Sequence, residues 1–195
     1  MRRLILAAAL LAASPAFAAT KFYVVVRGVE DASGGQGAAV KDEALKVFKD
    51  ELAQRPELTT TPPAGLPPAS DPEALHDALV KRGIKALELT LRIMSVTQEV
   101  KPPAPGKQYR QLVRGIKLSV FGDSIPDKVL SLGGDGESQV ATEIGANANL
   151  DKEGKPLIVD ACKEAVKQAV DMTVAKLKMG DKTQKLAPKK PKKKS

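Results

Sequence analysis

Residues 84–97 read IKALELTLRIMSVT, and within them Leu87, Leu89, Leu91 and Ile93 alternate with Glu88, Thr90 and Arg92. Successive side chains of a strand point to opposite faces, so this period of two puts the aliphatic residues on one face and the polar ones on the other. A sheet with one packed and one solvated face is characteristic of antiparallel pairing. The following segment agrees. After the loop KPPAPGK (Lys101–Lys107), the stretch Tyr109–Phe121 alternates Ile116, Leu118 and Val120 with Lys117 and Ser119. The two strands therefore form a hairpin whose connection is longer than a minimal two-residue turn.

Upstream, Lys21–Glu30 (KFYVVVRGVE) is dense in aromatic and β-branched residues and runs into a loop holding Gly34, Gly35 and Gly37. That composition predicts a central strand. From Val40 the period lengthens: Val40, Ala44, Leu45, Phe48 and Leu52 share one helical face, while Lys41, Asp42, Glu43, Lys46, Lys49 and Asp50 mostly coat the other. This helix stops before Pro56. Residues 57–70, ELTTTPPAGLPPAS, begin as a short edge strand, and their four prolines make the remainder a surface loop. Ser70-Asp71-Pro72-Glu73 then starts a second helix, with an acceptor side chain at the cap, Pro in the first turn and Glu three places after Ser. Its buried stripe is Leu75, Ala78 and Leu79, and it ends at Gly83.

Downstream, KVLSL and SQVATEI flank Gly133-Gly134-Asp135-Gly136-Glu137, so residues 128–144 read as a strand pair reversing at the glycines. A calcium or phosphate loop is the other reading of GGDGE. It lacks oxygen ligands at ordered spacing and a helix directly after it. A last helix spans Pro156 to Lys178, its core face traced by Ile158, Cys162, Ala165, Val166, Ala169, Thr173 and Leu177, with Gly180 as terminator. The order predicts an α+β fold, an antiparallel sheet of about four to six strands with three helices packed on it. No fixed-period repeat is present.

The element order, the opening VVVRGVE strand and the passage DPEALHDALVKRGIKALELTLRI before a hairpin resemble a group of small envelope domains. These are the amino-terminal domain of TolB, the periplasmic domain of the curli-secretion lipoprotein, and the lipoprotein activators of penicillin-binding proteins. The resemblance covers residues 21–178 and lies in topology and pattern. It implies a domain that recognises partner proteins or assembles and does no chemistry. It carries over no particular partner and no binding residue, and the chain lacks both a lipobox Cys and a propeller domain.

The first 18 residues predict export. Arg2 and Arg3 precede the ten apolar residues Leu4–Ala13, too few to cross a hydrocarbon core of about 30 Å as a helix. Ser14-Pro15 breaks the run, and Ala16-Phe17-Ala18 offers small residues for a signal peptidase, in preference to an uncleaved anchor. Position 19 is Ala and the only Cys is Cys162, so this site offers no lipobox and the chain no internal disulfide. No later stretch is long and apolar enough to span a bilayer, so the expected product is a soluble periplasmic or secreted domain, residues 19–184.

The formal charge of +8 comes from 31 basic and 23 acidic residues. Two arginines lie in the signal and six lysines (Lys185, Lys189, Lys190, Lys192, Lys193 and Lys194) in the segment 185–195, which leaves 23 basic against 23 acidic residues in the body. The body is neutral and the excess is an appendage. That appendage, KLAPKKPKKKS, has little apolar surface to bury and lysines that repel one another, so it is expected to be disordered. It either solubilises the protein or tethers it to a polyanion. A lysine near an anionic membrane contributes on the order of 1 kcal/mol. Phosphorylated lipid headgroups, wall polymers and extracellular DNA are the available polyanions, and export argues against a specific nucleic-acid partner.

Catalytic chemistry is thinly supplied. His76 is the single histidine, on the second helix beside Leu75 and Leu79, and makes no zinc pattern with any Cys. Cys162 lies on an apolar stripe, where a thiol behaves as a small hydrophobe. The P-loop, GxSxG, HExxH and GxGxxG patterns are absent. No metal, cofactor or catalytic residue is expected. With no Trp and two Tyr, platforms for sugars or single strands are scarce. The reading is a non-enzymatic envelope accessory protein that binds another envelope protein, its lysines contacting anionic surfaces. The alternatives are a polyanion binder acting mainly through those lysines, and a hydrolase built on a carboxylate pair.

Overall fold

The computed structural model describes residues 22–68, 70–125 and 130–186, the side chains of 72, 130–132 and 180–186 excepted. The signal segment and Lys189–Lys194 lie outside the described residues. The elements are β1 (Phe22–Asp31), α1 (Lys41–Ala53, entered by a 3₁₀ turn at Ala38–Val40), β2 (Leu58–Thr59), α2 (Pro72–Arg82), β3 (Ala86–Lys101), β4 (Arg110–Ile125), β5 (Leu130–Ile144) and α3 (Leu150–Leu186). They build an α+β fold in which the five strands form one sheet, ordered β2-β1-β3-β4-β5. The long β3–β4 and β4–β5 pairs are antiparallel, as the alternation required, so the sheet is mostly antiparallel. β1 lies parallel to both β2 and β3. Helices connect β1 to β2 and β2 to β3, and such crossovers return the chain in the same direction.

Adjacent residues of a strand face opposite ways, and the core divides accordingly. Phe22, Val24, Leu87, Leu89, Leu91, Ile93, Ile116, Leu118 and Val120 face α1 and α3, meeting Ala44, Phe48, Leu52, Ala165, Val166, Ala169 and Val170. Their neighbours in sequence, Tyr23 and Ala86, pack with Leu75 and Leu79 of α2 on the other face. The N-cap of α2 is Asp71, whose carboxylate accepts the Ala74 amide at 3.1 Å. Its C-cap is Gly83, which takes the left-handed conformation (φ 63°) that glycine adopts without strain.

Three expectations are corrected. β1 is not central: it lies second from the sheet's edge, and β3 occupies the middle. Residues 128–144 are not a hairpin. Leu130–Ile144 is one strand of 15 residues paired along its length with β4, and GGDGE sits inside it. The glycines serve close approach. A Cβ at Gly136 would overlap the carbonyl oxygen of Ala165, and one at Gly134 would overlap that of Ala169 and come within 2.9 Å of the Thr173 amide. α3 is therefore seated on backbone, its alanines against the strand's glycines. Finally, α3 runs 37 residues and passes through both expected limits. It starts earlier because Asn149 caps it, its side-chain oxygen accepting the amides of Asp151 (3.0 Å) and Lys152 (3.1 Å). Pro156 is then an internal residue of the second turn, and Gly180 lies within the helix.

Overfilling a packed contact costs typically about 1–3 kcal/mol and more where backbone cannot yield. We expect Gly136→Ala to lower unfolding stability by at least about 2 kcal/mol, because the obstruction is the Ala165 carbonyl. Gly145→Ala, with nothing within 4 Å of its added Cβ, is expected to change it little. Urea unfolding of the two variants, followed by circular dichroism, checks the pair.

Candidate functional site

The lysine-rich segment is launched by α3. Toward its C-terminal end the helix runs past α1, and Lys178 Nζ meets Glu57 at 2.5 Å. Arg55, in the turn after α1, bridges Glu51 and Asp171, each at 2.9 Å. These pairs fix the direction in which α3 leaves the body. Lys185 lies on the last described helical turn, so the helix extends into the basic segment. The other five lysines named from the sequence (Lys189, Lys190, Lys192, Lys193 and Lys194) lie outside the described residues.

A second feature was not anticipated. β2 pairs only with Phe22 and Tyr23, so Val24–Asp31 has no strand neighbour on that side among the described residues. The chain turns away after Thr59 into Pro62 and Pro63, which cannot donate to a ladder. What remains is a groove of about 270 Å³ lined by Tyr23, Val24, Val25, Val26, Lys49 and Thr60. An open strand edge is a template for pairing with an extended segment. The two-residue strand flanked by prolines was the available sequence signal, since so short a β2 cannot cover β1.

The opposite edge of the sheet is handled differently. β5 donates the Asp135 amide to Met172 Sδ (3.4 Å) and the Glu137 amide to Gln168 Oε1 (3.3 Å), and Lys176 Nζ donates to the Gly133 carbonyl. Side chains of α3 thus occupy edge groups that would otherwise seek another strand.

The sheet face away from α1 and α3 carries paired charges. Arg27 pairs with Glu88, which raises the Arg27 guanidinium above its ordinary range. Arg92 meets Glu30 at 2.6 Å and lies 4.6 Å from the centroid of the Phe121 ring. Ser119 Oγ donates to Asp135 at 2.7 Å.

Two carboxylates titrate below their usual range, and both have structural partners. Asp31 is held down by the Ser33 hydroxyl and amide, in the loop that follows β1. Glu57 is held down by Lys178, at the other end of β1. They do not form a pair. Cys162 is buried, and that burial, reinforced by the Glu43 charge, pushes its thiol up to about 11. His76 is partly exposed, its Nε2 3.9 Å from Asp77 on the same helix. Among the described residues, no group of three or more His, Cys, Asp or Glu could hold a metal ion. No described helix is long and apolar enough to cross a membrane.

No family model matches the chain, and no curated protein matches it in sequence. Solved structures do overlap it. A minor lipoprotein of Acinetobacter baumannii covers 80% of this chain and 92% of its own at 9% identity, with a TM-score of 0.43. Rare lipoprotein B of Shewanella oneidensis covers 84% and 98% at 9% identity, with a TM-score of 0.38. PelC of Paraburkholderia phytofirmans, crystallised as a dodecamer, covers 77% and 92% at 9% identity, with a TM-score of 0.31. At these scores the overlaps assign neither family nor function.

Two outcomes test the local chemistry. Cys162 is expected to react with a thiol reagent near neutral pH only as fast as the protein unfolds, since it is both inaccessible and protonated; rapid labelling of the folded protein would contradict this. Glu57 has an ordinary pKa of 4.5 and a lower one when folded, so its pair with Lys178 stabilises above that value and fades as pH falls through the folded pKa. We expect Glu57→Gln to cost less than about 1 kcal/mol at neutral pH and to flatten the acid limb of the stability curve.

Proposed function

We propose that the chain is an exported, non-enzymatic accessory protein of the cell envelope, which binds another envelope protein and is held near an anionic surface by its lysine-rich segment. The observation that carries this reading is the course of α3. The helix makes an ion pair with the body at Lys178, the last among the described side chains, and extends toward the lysines, while the body from residue 19 to 184 has no net charge. A neutral body with a charged extension separates two tasks: the extension supplies non-specific attraction, and the body supplies recognition.

The open edge of β1 supports the protein-binding half. Strand addition draws affinity from main-chain hydrogen bonds and specificity from pockets for alternate side chains, and the groove beside Val24 and Val26 offers both. The non-enzymatic half is supported by the titratable groups. Among the described residues, each one displaced from its ordinary range has a structural cause: Glu88 for Arg27, Ser33 for Asp31, Lys178 for Glu57, burial for Cys162.

Changing Lys189, Lys190, Lys192, Lys193 and Lys194 together to Gln is expected to weaken salt-sensitive association with isolated envelopes by at least about tenfold, a shift of about 1.4 kcal/mol. Unchanged association at low and physiological salt would contradict the tether. For the recognition half, a photo-crosslinking residue at Thr60, on the rim of the groove, is expected to capture a discrete protein in intact cells. The same residue at Ala104, in the β3–β4 loop, is expected not to. Equal capture at both places would remove the groove from the account.

A further inference from the structure

Hydrogen bonds at the start of β1 fix which of its backbone groups face the open edge. The Tyr23 amide donates toward β3, to the Lys85 carbonyl, and the Phe22 amide donates toward β2, to the Glu57 carbonyl, both at 2.9 Å. In a parallel ladder successive residues turn their amide and carbonyl to opposite neighbours, so Val24 and Val26 turn theirs to the β2 side. β2 pairs no further than Tyr23, and among the described residues no strand meets Val26 there. The ladder with β3 then slips between Val26 and Gly28, a bulge that leaves Arg27 without an opposite residue. The regular part of the open edge is therefore short, and it lies in the groove lined by Val24, Val26, Lys49 and Thr60.

Charge around this groove is unevenly placed. On the flank of α1 toward α3, Glu51 is engaged by Arg55, and the Glu43 charge acts on Cys162. The opposite flank presents Lys49 to the groove, exposed and without an ion pair among the described residues. Acids stand only at the other end of the open edge. Asp42 lies two helical turns before Lys49, about 10 Å along α1, and Asp31, the last residue of β1, is bonded by Ser33 and feels the Lys41 charge. Arg27 is occupied by Glu88. An unmatched cation thus sits beside the regular part of the edge, and negative charge sits beyond the bulge.

From this arrangement we infer that the groove takes a short, extended, acidic segment of a partner protein. The segment lies in the lane that β2 vacates, with an Asp or Glu carboxylate at Lys49 and an apolar side chain against Val24 and Val26. The inference rests on the groove being the protein-binding site, and adds the chemistry of what binds. Main-chain bonds to a strand edge supply affinity without sequence preference, and the bulge keeps them few, so side chains at Lys49 and at the two valines decide what is held. Charge also sets the position of the acid, because a carboxylate displaced toward the far end would meet Asp31 and Asp42 instead of Lys49. A second copy of this chain does not fit the same lane. α1 packs on both β1 and β2 and overhangs the edge, so a twofold pairing of β1 with β1 would bring two α1 helices into one space. A single extended chain fits beneath one such helix. The lysine-rich segment 185–195 holds no Asp or Glu and does not complement Lys49.

Short peptides selected from a random displayed library on the intact protein are the probe. Lys49→Glu is compared with the unaltered protein and with Lys117→Glu, an exposed lysine on the sheet face away from α1. The lysine-rich segment is common to all three, so its attraction for acids cancels. Slowed hydrogen exchange at the Val26 amide reports that a peptide occupies the groove. We expect the peptides that protect Val26 to carry Asp or Glu and to bind Lys49→Glu at least about fivefold more weakly. Their binding to Lys117→Glu is expected to be unchanged, and N-methylation of alternate peptide amides is expected to abolish it. Peptides that protect Val26 but lack an acid, or are indifferent to Lys49→Glu, overturn the carboxylate preference and leave the groove as a protein-binding site. If no selected peptide protects Val26, the groove reading falls and the inference falls with it. Protection of Val26 by the protein's own dimerisation assigns the groove to a second copy and overturns the inference as well.

Discussion

The contact on which the structure turns is the seating of α3 on the backbone of β5. Helices ordinarily stand off a sheet by the length of the side chains between them. Here Gly134 and Gly136 leave no side chain on the strand, and Ala165 and Ala169 almost none on the helix. The carbonyl oxygens of the two alanines occupy the space in which Cβ atoms would stand. Thr173 fits the same surface because its hydroxyl bonds back to the Ala169 carbonyl at 2.7 Å, so a buried polar group is satisfied within the helix. Toward its start α3 meets larger side chains, and there Leu157 packs with Leu112 and Ile144.

Much else follows from that proximity. Only a helix so close can lend Met172, Gln168 and Lys176 to the outer edge of β5, where the Gly133 carbonyl and the amides of Asp135 and Glu137 would otherwise be free to pair with another chain. At the other edge the two-residue β2 covers only the start of β1, and the groove remains. The sheet thus has one guarded edge and one open edge. The same seating fixes the line along which α3 passes α1 and leaves the body beside Glu57. The guarded edge and the direction of the basic extension are consequences of one tight helix–strand contact.

What the residues disclosed beforehand depended on whether one period dominated. The alternation from Leu87 to Ile93 and from Ile116 to Val120 defined β3 and β4, because each had a packed face and a polar face. The face of α1 and the Gly83 stop were legible for similar reasons, whereas the cap of α2 falls on Asp71, one residue after the Ser70 of the expected capping box. β5 was not, because its α3-facing positions at Gly134 and Gly136 carry no side chain. A glycine chosen for close approach and a glycine chosen for a turn look the same in one dimension. Pro156 misled in a comparable way. Proline favours the first turn of a helix, so it marked a start that the upstream cap at Asn149 takes instead, with Leu157 packed to hold the early turns in place. Of the candidate site, the lysines were evident from composition. The groove at β1 was not, because it depends on which strand lies beside it.

Hydrogen–deuterium exchange across β5, resolved at single amides, bears on this account most directly. Among the described residues, the amides of Asp135 and Glu137 have no strand on their side and depend on α3 side chains for protection. If the helix is seated on the glycines, both exchange measurably more slowly than the loop amides, though faster than the buried β3 amides of Leu89 and Leu91. Exchange as fast as that of Gly34 and Gly35 in the loop after β1 would mean that GGDGE is a reversal after all, and the helix–strand contact would fall.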